Sequence, residues 1–153
     1  LKQRGYEVLM VRTTNDVNIS NSEHTQIANN ANAHAFIRIH ANGSENSSAN
    51  GAMTICQTSG NPYNGSLYSQ SKALTADVLD TLVTETGCKK ICVGDGFRER
   101  HQLALRTCNA ATIMEMAYMT NPTGDALMAT HDYQNKIADG IANGLDDYFS
   151  LVR

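Results

Sequence analysis

The chain has 153 residues, of which 41% are hydrophobic and 18% charged, and its formal net charge is −3. This length predicts one domain, and the composition excludes a disordered chain, which combines low hydrophobicity with high net charge. The negative charge provides no basic surface for a nucleic-acid backbone, and no apolar run approaches the roughly 20 residues of a membrane span. The chain is therefore predicted to be a globular domain that neither binds nucleic acid nor crosses a membrane.

The first residues resemble the last turn of a helix. Leu1 to Arg4 carry two cations and precede Gly5, which suits the left-handed residue that ends many helices. One helical turn has no stability of its own, so we expect the front half of this helix upstream of residue 1. Tyr6 to Val11 is rich in large and β-branched residues and is predicted to be a strand.

The next segment contains a helix and two strands. Ser22 is a candidate cap for a helix that reaches Asn32, and the apolar segment from Ala35 to His40 predicts a mostly buried strand. Residues 41–50 are rich in Asn, Ser and Gly, which indicates a loop. Gly51 to Gln57 then predicts a third strand.

A long helix is predicted from a cap at Ser66 to Thr86, with Gly87 as its C-terminal glycine. Residues 89–100 contain mixed charges and two glycines, which indicates a loop with room for a short extended piece. A short strand is predicted from Leu103 to Leu105.

The last part combines a strand with two helices. Ala111 to Met116 is a strand, and Asn121-Pro122 begins a short helix. The final helix runs from His131 to Phe149 with one apolar stripe, formed by Ile137, Ile141, Leu145 and Tyr148. Strands that alternate with helices predict an α/β domain, with one sheet covered on both faces.

The four cysteines are Cys56, Cys88, Cys92 and Cys108. They allow three disulfide pairings or none, and we interpret them as small buried thiols. Cys88 and Cys92 lack a second close Cys or His pair that would complete a structural zinc site. A cysteine hydrolase with Cys108 as its nucleophile is the weaker alternative, which thiol alkylation without loss of activity would exclude.

Two polar residues end apolar strands. His40 follows Ala35–Ile39, and Glu115 follows Ala111–Met114. Open α/β sheets bind ligands beyond the carboxyl ends of their strands, so both side chains can face one crevice. His40 suits metal ligation through neutral imidazole, and a partly desolvated Glu115 suits a general base of raised pKa. The residues alone leave two classes open, a hydrolase and a ligand-binding domain, either of them able to use a metal.

The other histidines give weaker signals. His24 and His34 are predicted to be surface groups, and His131 begins the last helix. His101 lies in a charged segment that can rim the crevice.

Several segments together resemble the zinc-dependent N-acetylmuramoyl-L-alanine amidases. They follow that family's order over nearly the whole chain: Val11-Arg12-Thr13 with Asp16, Ile27-Ala28-Asn29, Phe36-Ile37-Arg38-Ile39-His40-Ala41-Asn42, Leu105-Arg106, Ala111 to Asn121, and Tyr133-Gln134 with Ile137 to Ile141. The His and Glu segments in combination are far more specific than a lone short motif.

The resemblance implies a twisted, mainly parallel sheet with helices on both sides. It implies a peptidoglycan hydrolase that cuts the amide between the lactyl group of N-acetylmuramic acid and the L-alanine of the stem peptide, with zinc held by two His and one Glu. By position, His40 matches the second zinc-binding His and Glu115 the catalytic Glu. Asn42 and Arg106 lie beside these positions and are expected to bind substrate.

The sequence departs from the family at its start. The family's first zinc His and its Glu ligand precede the region that corresponds to Leu1, so residues 1–153 are interpreted as a catalytic domain truncated at its N-terminus. We therefore expect these residues alone to bind Zn²⁺ weakly and to show little activity. Smaller departures are His24 in place of Arg, and Ala117-Tyr118 in place of Gly-Phe.

Two functional classes follow from the resemblance. The first is an enzyme that acts on peptidoglycan outside a bacterial membrane, in the extracellular space or the cell wall, and is monomeric. The alternative is an amidase-like domain that binds peptidoglycan without cutting it, and an upstream His-Gly-Gly followed by a Glu ligand would favour the enzyme.

Overall fold

A computed structural model describes residues 1–91, the backbone of residues 97–99, and residues 110–151. Its helices are α1 (Asn21–Asn30), α2 (Tyr68–Thr86), α3 (Pro122–Met128) and α4 (His131–Leu151), and its strands are β1 (Ala35–Asn42), β2 (Met53–Cys56), β3 (Phe97–Glu99) and β4 (Ala110–Tyr118). Short 3₁₀ helices span Lys2–Arg4 and Gly65–Leu67. The predicted strand Leu103–Leu105, together with His101, Arg106, Cys92 and Cys108, lies outside the described residues.

The four strands form one mixed sheet in the order β1-β4-β2-β3. The pairs β1–β4 and β2–β3 are parallel, but β2 runs antiparallel to β4, so the expectation of a mainly parallel sheet holds only in part. A parallel return needs a crossover long enough to bring the chain back to the starting edge, usually through a helix. The segment between β1 and β2 contains no helix, so β2 starts at the edge where β1 ends and runs the opposite way.

β1 is an edge strand of the described sheet, and the prediction that it is mostly buried was wrong. Within β1 only Phe36 is buried, whereas Ile39 is 53% exposed. An apolar run predicts burial on both faces only for a strand with covered neighbours on both sides.

Helices pack against the sheet, and the prediction that they cover both of its faces holds in part. On one face α2 and α4 bury Ala110 and Met114 of β4, and the predicted stripe of α4 lies in this core. On the other face Ala28 of α1 packs against Phe36 and against Ile55 and Ile113. Successive residues of β4 therefore alternate between the two cores.

The predicted helix end at the start of the chain is confirmed as a 3₁₀ turn that ends at Gly5, whose φ is +85°. The Arg4 guanidinium and the Tyr6 hydroxyl both donate to the carboxylate of Asp146, each at 2.6 Å, and attach this turn to α4. The predicted strand Tyr6–Val11 was wrong, because no strand pairing involves these residues in the described part of the chain. An apolar, β-branched composition does not supply the hydrogen-bonded neighbour that a strand needs.

The starts of α1 and α2 differ from the predicted caps. Ser20, not Ser22, caps α1: its hydroxyl accepts from Glu23 N, and the Glu23 carboxylate accepts from Ser20 N in a capping box. The long helix begins after a 3₁₀ turn, with Leu67 in the cap position and no side-chain cap. Its predicted end is confirmed, because Gly87 has a φ of +67°.

The described cysteines agree with the interpretation as small buried thiols. Cys56 is completely buried in β2, and Cys88 is half-buried just after α2. No helix in the described ranges is both long and apolar enough to cross a bilayer.

Asp77 on α2 carries an unfavourable charge. Its Oδ2 atom is buried and accepts no hydrogen bond within the described residues, and burial, then Asp147 and Asp80, raise the pKa of its carboxyl. Because the pKa of Asp77 is raised in the folded state, the fold tolerates its protonated form better than its carboxylate. The stability of the folded protein therefore falls as the pH rises from the unfolded-state pKa through the folded-state pKa. Asp77→Asn is therefore expected to raise Tm at pH 7 and to leave it unchanged near pH 3, as thermal unfolding at the two pH values would show. Asp139→Asn, which removes the same charge from an exposed position of α4, is the control, and an equal rise there would contradict the explanation.

Candidate active site

The pairing of β1 with β4 brings His40 and Glu115 together. The two residues are direct partners in the parallel register, so their side chains leave the same face of the sheet. His40 Nδ1 lies 3.9 Å from Glu115 Oε1, and the side chains are 40% and 14% exposed. The predicted meeting of these two groups at the carboxyl ends of two strands is confirmed.

A cavity of about 410 Å³ opens beside Glu115. Asn42, Gly43 and Ser44 line it on the side of the chain that leaves β1. The rest of the lining comes from the start of β2 and the end of β4, namely Met53, Ile55, Glu115 and Tyr118. Its size lies within the range of small-ligand pockets, and its lining includes one carboxylate, that of Glu115.

Asn42 is placed in this cavity by a bulge. His40 pairs with Glu115, but Asn42 pairs with Tyr118, so β4 contains one extra residue at this point. The Asn42 Oδ1 atom accepts from Gly43 N at 2.9 Å, and its carbonyl oxygen accepts from Met119 N at 2.9 Å. The side chain is thereby held at the cavity wall.

The rim of the cavity is tied to the chain that follows β4. Ser44 N donates to Thr120 Oγ1 at 3.1 Å, and Asn121 Nδ2 donates to Ser47 O at 3.0 Å. These contacts connect the polar loop after β1 to the start of α3, so the loop has a defined position beside Glu115.

The electrostatic environment favours a neutral His40. Burial lowers the pKa of this imidazole first, and the charges of Arg38 and His24 lower it further. Neutral imidazole is the form that binds a metal. His24 is half-buried and not the surface group that the sequence predicts, because α1 covers the face of β1 that carries His40.

The chain and its fold are similar to those of known proteins. The family model for N-acetylmuramoyl-L-alanine amidase matches residues 1–147. The chain belongs to this amidase family. Its alignment covers 151 residues of a probable cell wall amidase, LytH, of Staphylococcus aureus at 28% identity, which is 98% of this chain but only 45% of that protein. The chain therefore spans less than half of the length of this relative.

Solved amidase structures show the same fold. The catalytic domain of CwlV, an N-acetylmuramoyl-L-alanine amidase from Bacillus (Paenibacillus) polymyxa var. colistinus, has a TM-score of 0.80 at 29% identity, covering 94% of this chain and 73% of the other. An N-acetylmuramoyl-L-alanine amidase from Clostridium difficile 630 has a TM-score of 0.78 at 26% identity, covering 90% and 69%. The resemblance stated from the sequence motifs is confirmed at the level of family and fold.

The donor types suit zinc, but the number of ligands falls short. His40 supplies an imidazole and Glu115 a carboxylate, both of which zinc binds. Within residues 1–91 and 110–151, however, no group of three His, Cys, Asp or Glu is placed to hold a metal. The described residues therefore bring together fewer than the three protein ligands that are typical of a catalytic zinc site.

The structure brings to the site further residues to which the sequence analysis assigned no role. Ser44, Met53 and Tyr118 line the cavity, and Arg38 lies two positions before His40 on the same strand face. The position of Arg38 on the same face as His40 could be predicted from the sequence, because residues i and i+2 of a strand share a face. Ser44 and Met53 had no such signal, because their positions depend on how the loop after β1 folds.

Proposed function

We propose that this protein hydrolyses the amide between the lactyl group of N-acetylmuramic acid and the L-alanine of the peptidoglycan stem peptide. The observation that carries the proposal is the approach of His40 to Glu115 at the edge of a polar cavity, in a chain of the amidase family. The protein then acts on the bacterial cell wall, outside the membrane, as a monomer.

The cofactor of this reaction is zinc, with His40 as one ligand and with further ligands outside the described residues. The chemistry that a zinc ion supplies at such a site is activation of water and polarisation of the scissile carbonyl. The half-buried, neutral imidazole of His40 supports this role.

Glu115 is the general base and then the general acid. Its carboxylate accepts a proton from the attacking water and delivers it to the departing alanine nitrogen. Its 14% exposure and its position on the cavity wall support this role, because a mostly desolvated carboxylate holds and transfers a proton at a defined place.

Two further residues bind the substrate. Asn42 lines the cavity and presents its amide beside Glu115, where the glycan or the peptide has to pass. Arg106 takes a second binding role by its position in the family motif, and its side chain lies outside the described residues.

An amidase-like domain that binds peptidoglycan without cutting it is the alternative. The family match and the amidase names of its relatives do not favour it. Incubation of the full-length protein with purified peptidoglycan, followed by mass spectrometry of the soluble products, separates the two. New stem peptides with free N-terminal L-alanine are expected, whereas binding without such products would contradict the proposal.

The role of His40 is tested by its metal affinity. His40→Ala is expected to weaken Zn²⁺ binding by at least about 100-fold, because loss of even an outer partner of a zinc ligand costs about 10- to 100-fold. Competition against a chromophoric chelator measures this change. The control is His34→Ala, which removes an exposed imidazole just before β1, and equal zinc affinity in the two variants would exclude His40 as a ligand.

A further inference from the structure

Arg38 places a positive charge on the strand face that carries His40. In the parallel register Arg38 pairs with Ile113, two residues before the His40–Glu115 pair. Two residues of a strand span about 7 Å, so the α-carbon of Arg38 lies about this far from that of His40 along β1. The residue as a whole is half-buried, and burial lowers the pKa of its guanidinium, which the attraction of Glu115 partly opposes.

Arg38 donates one side-chain hydrogen bond to another residue in the described part of the chain. Its Nη1 donates to the neutral amide oxygen of Asn21 at 2.9 Å, at the start of α1. No carboxylate in residues 1–91 or 110–151 forms an ion pair with it. A guanidinium offers five N–H donors in a planar fork that matches a carboxylate, so Arg38 can bind a carboxylate in addition to its hydrogen bond with Asn21.

Arg38 lies among other charged and titratable groups. His24 on α1 experiences the charges of both Arg38 and Arg12, so three basic groups lie within electrostatic reach of one another. Of the acids that interact with this group, Glu23 is occupied in the cap of α1, and Glu115 belongs to the candidate catalytic pair. Arg12 and Arg38 thus bring two positive charges to this region, and Glu23 and Glu115 bring two negative charges.

We propose that Arg38 is a specificity-determining residue that binds the free α-carboxylate of the stem-peptide residue after L-alanine. This inference rests on the proposed amidase function. The scissile nitrogen belongs to the L-alanine, so a carboxylate on the next residue lies about 6 Å away along the peptide. The α-carbons of Arg38 and His40 lie about 7 Å apart along β1, so a carboxylate at that separation is within reach of the long Arg38 side chain. A bidentate guanidinium pair distinguishes a carboxylate from a carboxamide.

The test compares two muropeptides that differ in one group. Both are N-acetylmuramyl tripeptides linked through the γ-carboxyl of D-glutamate, and the α-carboxyl of that residue is free in one and amidated in the other. Isothermal titration calorimetry, on protein freed of metal with EDTA so that neither compound is cleaved, gives Kd for each on the wild type, on Arg38→Met and on Arg38→Lys. Lys136→Met removes a charge from an exposed position of α4 and is the matched control.

We expect the wild type and Lys136→Met to bind the free acid about tenfold more tightly than the amide, which is the size of a charge-assisted hydrogen bond. Arg38→Met is expected to bring the two Kd values within about twofold, and Arg38→Lys to keep an intermediate preference. Equal binding of both compounds by the wild type, or an unchanged preference in an Arg38→Met protein with normal Tm, would overturn the inference.

Cleavage of the same compounds, followed by chromatography, separates the two proposals. A wild type that cuts both equally, without preference in binding, contradicts the role of Arg38 and leaves the amidase proposal standing. A preference in binding that depends on Arg38, without cleavage of either compound, supports the binding role and contradicts the amidase proposal.

Discussion

Glu115→Gln is expected to lower the rate of amide cleavage by about 100- to 10,000-fold, the range that a positioned general acid–base contributes. The carboxamide has nearly the same shape, but it neither accepts the proton of the attacking water nor returns it to the alanine nitrogen. The loss should appear in kcat, because the cavity walls formed by Asn42, Ser44 and Tyr118 are unchanged. Release of L-alanine-terminated peptides from a defined muropeptide, measured at saturating substrate, gives this value.

The control for this substitution is Glu45→Gln, which makes the same chemical change at an exposed position in the loop after β1. It is expected to keep wild-type kcat. Thermal unfolding shows whether either variant is misfolded, since a loss of activity with unchanged Tm points to chemistry. A Glu115→Gln protein that keeps more than a tenth of the wild-type kcat would contradict the general-base role.

The central pair of the site could be predicted from the sequence because each member interrupts an apolar strand. His40 and Glu115 are polar groups at the ends of segments that otherwise favour burial, and the end of a strand is where an open sheet binds ligands. That they are direct neighbours is a property of the β1–β4 register, which depends on residues more than seventy positions apart in the chain. The local pattern therefore identified the groups, and long-range pairing set their distance.

The errors in the predicted fold also arise because a local sequence pattern does not determine which segments pair in the sheet. Tyr6–Val11 has the composition of a strand but is not part of the described sheet. Ile39 is apolar, but it is exposed because it lies on an edge strand. The direction of β2 could be predicted from the local sequence, because the segment between β1 and β2 contains no helix that would return the chain to the edge where β1 begins. The cap of α1 could also be predicted from the sequence, because Ser20 and Glu23 have the spacing of a capping box.

The largest expected effect on stability comes from the contact of α4 with α2. Gly140 and Gly144 are four residues apart on α4 and face the backbone of α2. A Cβ atom at Gly144 would lie 2.6 Å from Val78 Cα, and one at Gly140 would lie 2.7 Å from Leu82 Cα. The close approach also lets Thr81 Oγ1 donate to Gly140 O at 2.7 Å, a hydrogen bond that links the two helices.

Gly144→Ala is therefore expected to lower the free energy of unfolding by about 2–3 kcal/mol, although alanine favours a helix by up to about 1 kcal/mol over glycine. The obstacle at position 144 is backbone, which does not move aside as a flexible side chain does, so the helices must separate and lose contacts along the core they share. At this chain length the change corresponds to a fall in Tm of about 5–10 °C, which calorimetry measures. Gly60→Ala is the matched control, because a Cβ there meets nothing within 4 Å, and the same loss of stability in both variants would exclude the helix contact as its cause.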